Sequence, residues 1–510
     1  MNRRDFLKAA GLAAASVSVP GCKKVAQKRT GSGRKCPNIL YIMSDDHACN
    51  AISCYGGILS KVARTPNIDR IAREGMRLEN CFVTNSICTP SRAAILTGQY
   101  SHVNGVYTLK DRIDPGRRNV AKLLQQSGYQ TAVVGKWHLK TDPSGFDYWN
   151  VLPGQGRYHN PKLKEKGWRE NGLKTYEGRH STDVITDLSL GWLRGRDKEK
   201  PFFLMCHLKA PHRHWQPAKR FADLYKDIEM PEPDNLLDDY KNRSRAAANS
   251  TLKIGENMGR KDLKREKPEG LGRDELRKWA YQYYIKDYLR CIAGVDENVG
   301  RLLDFLDEAG LSRDTVVIYT SDQGFFLGEH GYYDKRFMYE ESLRMPFVVC
   351  CPREIKAGSV SDDIIINVDF APTFLDYAGM AVSSDMQGAS FRANLAGKTP
   401  SNWRKSMYYR YWMHLSHHGV PAHYGIRTKR YKLILYYGLP LGKAGAVERP
   451  TPPEWELFDL PKDPHEMNNV YDEPAYGDVR RELTAELMRL KRELGDTDEA
   501  YPEMMRILKM

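Results

Sequence analysis

The sequence predicts an α/β protein: a large, mostly parallel sheet with helices on both faces, followed by a small C-terminal antiparallel sheet with one helix. Three observations predict it. Four short apolar runs, each of the length of one buried strand, break off into polar, ionisable residues. Helical segments with legible caps lie between them. Beyond about Ser401 the texture changes to short strands with close turns and then one amphipathic helix. Unbroken apolar runs belong to strands covered on both faces, and strands alternating with helices imply parallel pairing.

The elements follow in order. Asn38 to Met43 is the first apolar run and ends in Ser44-Asp45-Asp46-His47. Thr65 to Gly75 is a helix with its boundaries written in: Thr65 can cap, Pro66 takes the first position and Gly75 closes it. Arg92 to Leu96 reads as helical, with Pro90 in its first turn and Gly98 at its end. A short helix over Asn119 to Ser127 precedes the strand Thr131 to Gly135, which ends in Lys136-Trp137-His138. Pro201 to Leu208 ends in Lys209-Ala210-Pro211-His212, and Thr315 to Thr320 ends in Ser321-Asp322-Gln323-Gly324. Met230 to Arg273 is polar and poor in pattern and is expected to be a surface insertion. Glu275 to Glu308 carries a helical stripe from Tyr281 to Leu306 that is core packing. Met407 to Trp412, His423 to Thr428, Tyr431 to Tyr437 and Trp455 to Asp459 read as short strands, and Arg480 to Leu494 as an amphipathic helix.

A chain of 510 residues with 41% hydrophobic content has room for two domains and a large core. The expected boundaries are 1–33 for a leader and linker, 34–400 for the large domain and 401–510 for a C-terminal α+β subdomain. Lys and Arg number 78 against 64 Asp and Glu, a formal charge of +14 that suits anionic partners of several kinds. No zinc-finger, RRM or bZIP pattern is present and the charge is spread, so nucleic acid is not expected. Asn2-Arg3-Arg4-Asp5-Phe6-Leu7-Lys8 has the twin-arginine form, and the apolar stretch behind it is too short to span a membrane. It reads as a signal for the Tat export machinery. Val19-Pro20-Gly21-Cys22 resembles a lipoprotein box with an unusual proline, which makes Cys22 a candidate lipid anchor. The expected location is the periplasm, or the cell surface by membrane anchoring. Ten cysteines include no Cys-x-x-Cys, so neither a zinc ribbon nor a thioredoxin site is indicated.

The four polar strand ends carry the chemistry. In open α/β sheets ligands bind at that edge. Asp45, Asp46, Asp322 and Gln323 are hard oxygen donors of the kind that hold Ca²⁺ or Mg²⁺ rather than zinc. Lys136, His138, His212, Lys335 and Arg92 supply cationic or proton-donating groups, as an anionic ester with an alkoxide leaving group requires. Cys88 is placed at a helix N-terminus, where free N–H groups favour an anion. An unmodified thiol opposite a hard cation makes little chemical sense; an all-oxygen side chain does.

Cys88-Thr89-Pro90-Ser91-Arg92 resembles the Cys-x-Pro-Ser-Arg pattern of type I sulfatases. Gly135-Lys136-Trp137-His138-Leu139, Ala210-Pro211-His212, Ser321-Asp322-Gln323-Gly324, Leu327-Gly328-Glu329-His330-Gly331 with Lys335-Arg336, and Glu456-Leu457-Phe458-Asp459 with Asp463-Pro464 look like further motifs of that family. The match runs in family order from about Pro37 to Val470. It is most similar to bacterial carbohydrate sulfatases of the N-acetylglucosamine-6-sulfatase-like and mucin-desulfating kind. The resemblance implies an alkaline phosphatase/sulfatase-like fold and hydrolysis of a sulfate ester on a sulfated carbohydrate. It implies that a formylglycine-generating enzyme converts Cys88 to formylglycine, the nucleophile, and that one calcium ion is bound by Asp45, Asp46, Asp322 and Gln323 together with residue 88. Arg92 would orient residue 88, Lys136 and Lys335 would grip sulfate, His212 would protonate the leaving oxygen and His138 would assist sulfate release. Gln323 stands where many members have Asn or His; it keeps a carbonyl donor on a longer arm. His414, His418, His423 and Tyr424, in the second domain, are candidates either for reading the sugar or for filling strands and turns there. Two other readings stay open: a phosphate or phosphonate ester hydrolase of the alkaline phosphatase superfamily, and a non-catalytic protein that binds sulfated glycan.

Overall fold

The computed structural model describes residues 36–167 and 172–508. The twin-arginine segment and Cys22 lie outside the described residues. Ten strands form the main sheet. At its centre Thr315–Ser321, Asn38–Ser44, Phe202–His207, Gln130–Lys136 and Tyr148–Leu152 lie side by side, all parallel. Antiparallel pairings flank this block on both sides. The sheet is therefore mixed, with a parallel core. The four strands whose polar ends stood out in the sequence are consecutive neighbours within that core.

Alternation along the first strand shows how the layers are built. Ile39, Tyr41 and Met43 join the hydrophobic cluster on one face, while Leu40 and Ile42 join the cluster on the other, and all five are fully buried. The second face is covered by the 36-residue helix Arg273–Glu308, which brings Tyr281, Tyr284, Tyr288 and Leu289 to it, together with Pro66–Glu74 and Ser181–Gly195. The first face is covered by Cys88–Thr97, Val120–Gln126 and Phe370–Tyr377. Each such side chain moved from water to the core contributes about 1.5–3 kcal/mol, so covering both faces is what makes the unbroken apolar runs stable as strands.

The C-terminal sheet runs in the antiparallel order Ser406–Tyr411, His423–Thr428, Tyr431–Tyr436, Glu454–Asp459, and is joined by the helix Gly477–Leu494. Tyr409, Tyr424 and Leu457 belong to the same cluster as Ala93 and Phe370, so this sheet shares the core of the Cys88-bearing face. The expected surface insertion is not one. Leu252, Ile254 and Met258 are buried, and Asp262, 2% exposed, is paired with Arg213 at 2.9 Å. Its polar sequence hides this because the buried groups there are ion-paired. Among the described residues Cys49, Cys54, Cys81, Cys88, Cys206, Cys291, Cys350 and Cys351 are free thiols, and no helix is long and apolar enough to cross a membrane.

Candidate active site

The parallel strands end at one place. Asp45 and Asp46 follow the first strand, Lys136 closes the strand Gln130–Lys136, and Asp322 follows Thr315–Ser321. Backbone bonds from Asp45 N to Ala210 O (3.3 Å) and from Asp322 N to Ser44 O (3.2 Å) tie three of these ends together. Cys88 opens the helix Cys88–Thr97 beneath them, with Sγ 3.5 Å from Asp45 Oδ1.

The polar groups interlock. Lys136 Nζ donates to Asp45 Oδ2, and Lys335 Nζ donates to Asp46 Oδ2 at 2.6 Å. Arg92 donates through Nε to Asp322 Oδ2 (2.9 Å) and through Nη1 to the Lys136 carbonyl (2.7 Å). Gln323 Nε2 donates to Asp46 and, at 2.7 Å, to Asp322 Oδ1. His212 Nε2 stands 3.7 Å from Asp46 Oδ2. Thr89 holds His138, with Oγ1 donating to its carbonyl at 3.1 Å and lying 3.4 Å from Nδ1. All ten predicted catalytic and metal residues therefore meet at one site.

Three carboxylates, Asp45, Asp46 and Asp322, offer oxygens within 4.8 Å of one another, all buried. Burial, with Asp45 adding repulsion, pushes Asp46 up to about 6 and Asp322 up to about 7. Burial acts on Asp45 in the same direction, but the charges of Lys136, Arg92 and Lys335 outweigh it and hold that carboxyl well below the usual range. Charge is thus incompletely compensated at two of the three acids. Gln323 Oε1, a buried carbonyl, has no hydrogen-bond partner. Crowded carboxylates beside an orphaned amide oxygen fit a hard divalent cation. The cysteine is the part that does not fit. Burial pushes the Cys88 thiol up to about 12, so it stays protonated, a poor nucleophile and a poor ligand.

Burial and Lys136 keep both histidines neutral: His138 is drawn down to about 2, and His212 falls well below the usual imidazole range. Asp46, His138, Asp334 and Arg336 all have left-handed φ, 68°, 58°, 77° and 111°. Such strain in non-glycine residues gathers at functional sites.

Above the carboxylates a cavity of about 720 Å³ opens over Cys88, Lys335 and His212. Its remaining wall is new. Tyr158, His159, Lys209, Arg213, Asp334, Arg336, His417 and His418 line it, and of these only His418 is a sugar-reading candidate from sequence. Asp334 organises part of this wall, with Oδ2 3.2 Å from His418 Nε2 and 3.5 Å from Arg213 Nη1. Asp334 and Arg336 flank Lys335, and Lys209 and Arg213 flank Ala210-Pro211-His212, so their place beside the motifs was an available signal; Tyr158, His159, His417 and His418 arrive from segments far from them.

The structure does not bring His414, His423 or Tyr424 to the cavity. His414 is fully buried, with Nε2 2.9 Å from Arg449 O and Nδ1 accepting from Ala422 N at 3.0 Å. His423 is packed among Tyr409, Tyr411 and Tyr436, and Tyr424 OH donates to Asp498 at 3.0 Å. They are core residues of the small sheet. His418, in the loop before His423, is the one that reaches the cavity.

Comparison with known proteins agrees with this geometry. The family model described as Sulfatase matches residues 37–380, and the one described as N-sulphoglucosamine sulphohydrolase, C-terminal, matches 328–493. An N-acetylglucosamine-6-O-sulfatase of Bacteroides thetaiotaomicron is 42% identical, over 95% of this chain and 90% of that one. An arylsulfatase of Clostridium perfringens is 28% identical over 93% and 97%. A solved structure described as a complex with its substrate D-glucosamine-2-N,6-O-disulfate superposes with a TM-score of 0.85 at 42% identity, covering 92% of this chain and 100% of that one.

Proposed function

The chain belongs to the sulfatase family, and from that premise we propose that it removes the 6-O-sulfate of a glucosamine residue in a sulfated carbohydrate, using formylglycine at position 88 and calcium. The observation that carries this reading is the convergence of Cys88, three crowded carboxylates, Gln323, two lysines and two histidines under one sugar-sized cavity. The glucosamine preference draws its support from the relative named for that activity and from the substrate in the superposed structure. Formylglycine supplies an oxygen nucleophile where the encoded thiol has none, and calcium, held by Asp45, Asp46, Asp322 and Gln323, supplies neutralising charge.

The chain's own residues do the rest. Lys136 and Lys335 stand on either side of the carboxylates and neutralise the non-bridging sulfate oxygens. Arg92, fixed to Asp322 and to the Lys136 carbonyl, holds residue 88 and the strand ends in register. His212 Nδ1 faces the Arg213 carbonyl, which leaves Nε2 as the nitrogen that gives a proton to the leaving alkoxide. A bound sulfate ester places negative charge beside this neutral imidazole and so favours its protonation. His138, neutral and held by Thr89, is a proton acceptor beside Lys136. Export through the Tat machinery, with location in the periplasm or at the membrane through Cys22, is part of the proposal and rests on the sequence of residues 1–33.

The test is sulfate release by protein made in a host with a formylglycine-generating system. Glucosamine 6-sulfate is expected to be hydrolysed well ahead of galactosamine 6-sulfate and glucosamine 3-sulfate. The peptide carrying residue 88 is expected to be lighter by about 18 Da, the difference between thiol and aldehyde. Turnover with an unconverted Cys88, or a preference for another ester, would contradict the proposal.

A further inference from the structure

The catalytic cavity contains a cation that the reaction as derived leaves unused. Lys209 follows the strand Phe202–His207, is 4% exposed and lines the cavity. Of the other basic groups near it, Lys136 is paired with Asp45, Lys335 with Asp46, Arg92 with Asp322 and Arg213 with Asp262 at 2.9 Å, while Arg336, on the same cavity, stands 3.9 Å from Asp334. Lys209 Nζ makes no hydrogen bond or ion pair with any described residue and stands over the ring of Tyr158 at 4.7 Å. A buried ammonium without a counter-ion is unfavourable, and such groups are normally paired. Burial and Lys136 draw this lysine down to about 8, a fall that the more distant Asp45 and Asp46 only partly offset. An anion delivered with the substrate would relieve that mismatch.

There is room for one. Past His159, His214 and Gln216 the catalytic cavity adjoins a second, of about 770 Å³, walled by Lys219, Lys261 and Lys264. Lys264 is paired with Asp287; Lys219 and Lys261 have no partner among the described residues. Pro217 and Ala222 give this second cavity an apolar floor of the kind a pyranose C–H face covers.

We propose that Lys209 binds a second anionic group of the substrate, distinct from the sulfate being removed: a sulfate on the 2-nitrogen of the same sugar, or the carboxylate of an adjoining uronic acid residue. This rests on the glucosamine 6-O-sulfatase reading. A single charge-assisted contact made to one substrate and not to another is expressed as a difference in kcat/KM.

The experiment compares three substrates on the formylglycine-bearing full-length enzyme: glucosamine 6-sulfate, glucosamine 2-N,6-O-disulfate, and a uronate-linked glucosamine 6-sulfate disaccharide. Lys209→Met is expected to lower kcat/KM, chiefly through KM, by roughly 10- to 100-fold for a doubly anionic substrate and to leave the monosulfate within about 2-fold. Lys209→Arg should restore most of the loss. A loss confined to the disulfate places the anion on the same sugar; one confined to the disaccharide places it on the neighbour. The ratio between substrates is taken on the same molecules, so it remains readable if Lys209→Met is partly unfolded. Equal losses on all three, or none, overturn the inference while the wild type's turnover upholds the substrate reading. A wild type inactive on all three overturns that reading and the inference with it.

Discussion

Replacing Gly135 by alanine tests whether the strand end that carries Lys136 is held as tightly as its contacts imply. Gly135 has φ +107°, and a Cβ there would lie 1.9 Å from His207 O and 3.1 Å from Ile185 Cδ1. Contact becomes ordinary at 3.4 Å, so the neighbouring strand must yield by 3.4 − 1.9 = 1.5 Å. That neighbour is residue 207 itself, the ladder partner of Gly135. Positive φ in alanine costs about 1–2 kcal/mol and overpacking about 1–3 more, together about 2–5 kcal/mol. A chain of 510 residues unfolds with an entropy of about 1 kcal/mol per degree, so Tm should fall by about 2–5 °C. Activity should fall much further. The Lys136 carbonyl accepts from Arg92 Nη1 at 2.7 Å, His207 Nδ1 lies 3.1 Å from it, and its ammonium holds Asp45. A displacement of about 1 Å in such a set is worth about 100-fold in rate. Gly128→Ala is the control: φ there is +95°, with nothing within 4 Å of the added Cβ, so it carries the backbone strain without the collision. The assay is kcat/KM for sulfate release beside a thermal melt for both variants. If Gly135→Ala turned over as fast as Gly128→Ala, the claim that this strand end positions Lys136 would be wrong.

Two other outcomes are expected. Calcium at about 100 times its dissociation constant should stabilise the enzyme by about 2.7 kcal/mol, or roughly 3 °C, and EGTA should abolish both that shift and the activity; a melt indifferent to chelation would remove the metal from the site. Asp296, 4% exposed, accepts from Asn67 N (3.1 Å) and Ile68 N (2.9 Å) at the start of the helix Pro66–Glu74, and burial raises it from 3.8 to about 6. Its folded pKa lies above its unfolded one, so its stabilising contribution is complete below about pH 4 and is lost as pH rises through about 6, by up to about 3 kcal/mol. The advantage of wild type over Asp296→Asn in thermal melts should therefore shrink between pH 4 and pH 7, and a constant difference would contradict the assignment.

Much of this was legible in the sequence, for a specific reason. A strand buried on both faces must be apolar throughout, so a sudden Asp45-Asp46, Lys136, His212 or Asp322 marks where the sheet stops and the ligand edge begins. Parallel pairing then makes four such marks neighbours. What the sequence did not show is the opposite wall. Arg213, Asp334 and His418 meet only because loops after different strands fold over the same edge, and no local pattern records that meeting. Histidines in the small sheet misled for a related reason. His414 and His423 have the composition of a sugar-binding face, but both ring nitrogens of His414 are used on Arg449 and Ala422, and His423, with Nδ1 on Pro421 O, is enclosed by tyrosines within the core. Lys209 has no sequence signal beyond opening the polar strand end Lys209-Ala210-Pro211-His212, and only its burial without a hydrogen-bond or ion-pair partner among the described residues sets it apart.

The backbone explains why the residues were legible and their geometry was not. Asp46, His138, Asp334 and Arg336 each leave regular structure in a left-handed conformation that glycine would adopt without strain. About 1–3 kcal/mol is stored at each such position, and each is restrained by contacts from elsewhere. Tyr288 OH donates to Asp46 O at 2.8 Å, Thr89 to His138 O at 3.1 Å, and Tyr409 OH to Arg336 O at 2.7 Å, while Asp334 Oδ2 lies 3.2 Å from His418 Nε2. Glycine would relax the backbone but carries no carboxylate, imidazole or guanidinium. The chain keeps the functional side chain and supports the strained turn with long-range hydrogen bonds. A strained strand end is therefore written into the sequence as an ordinary Asp or His, and it can be told from a turn residue only when the distant tyrosine or threonine that restrains it comes into view.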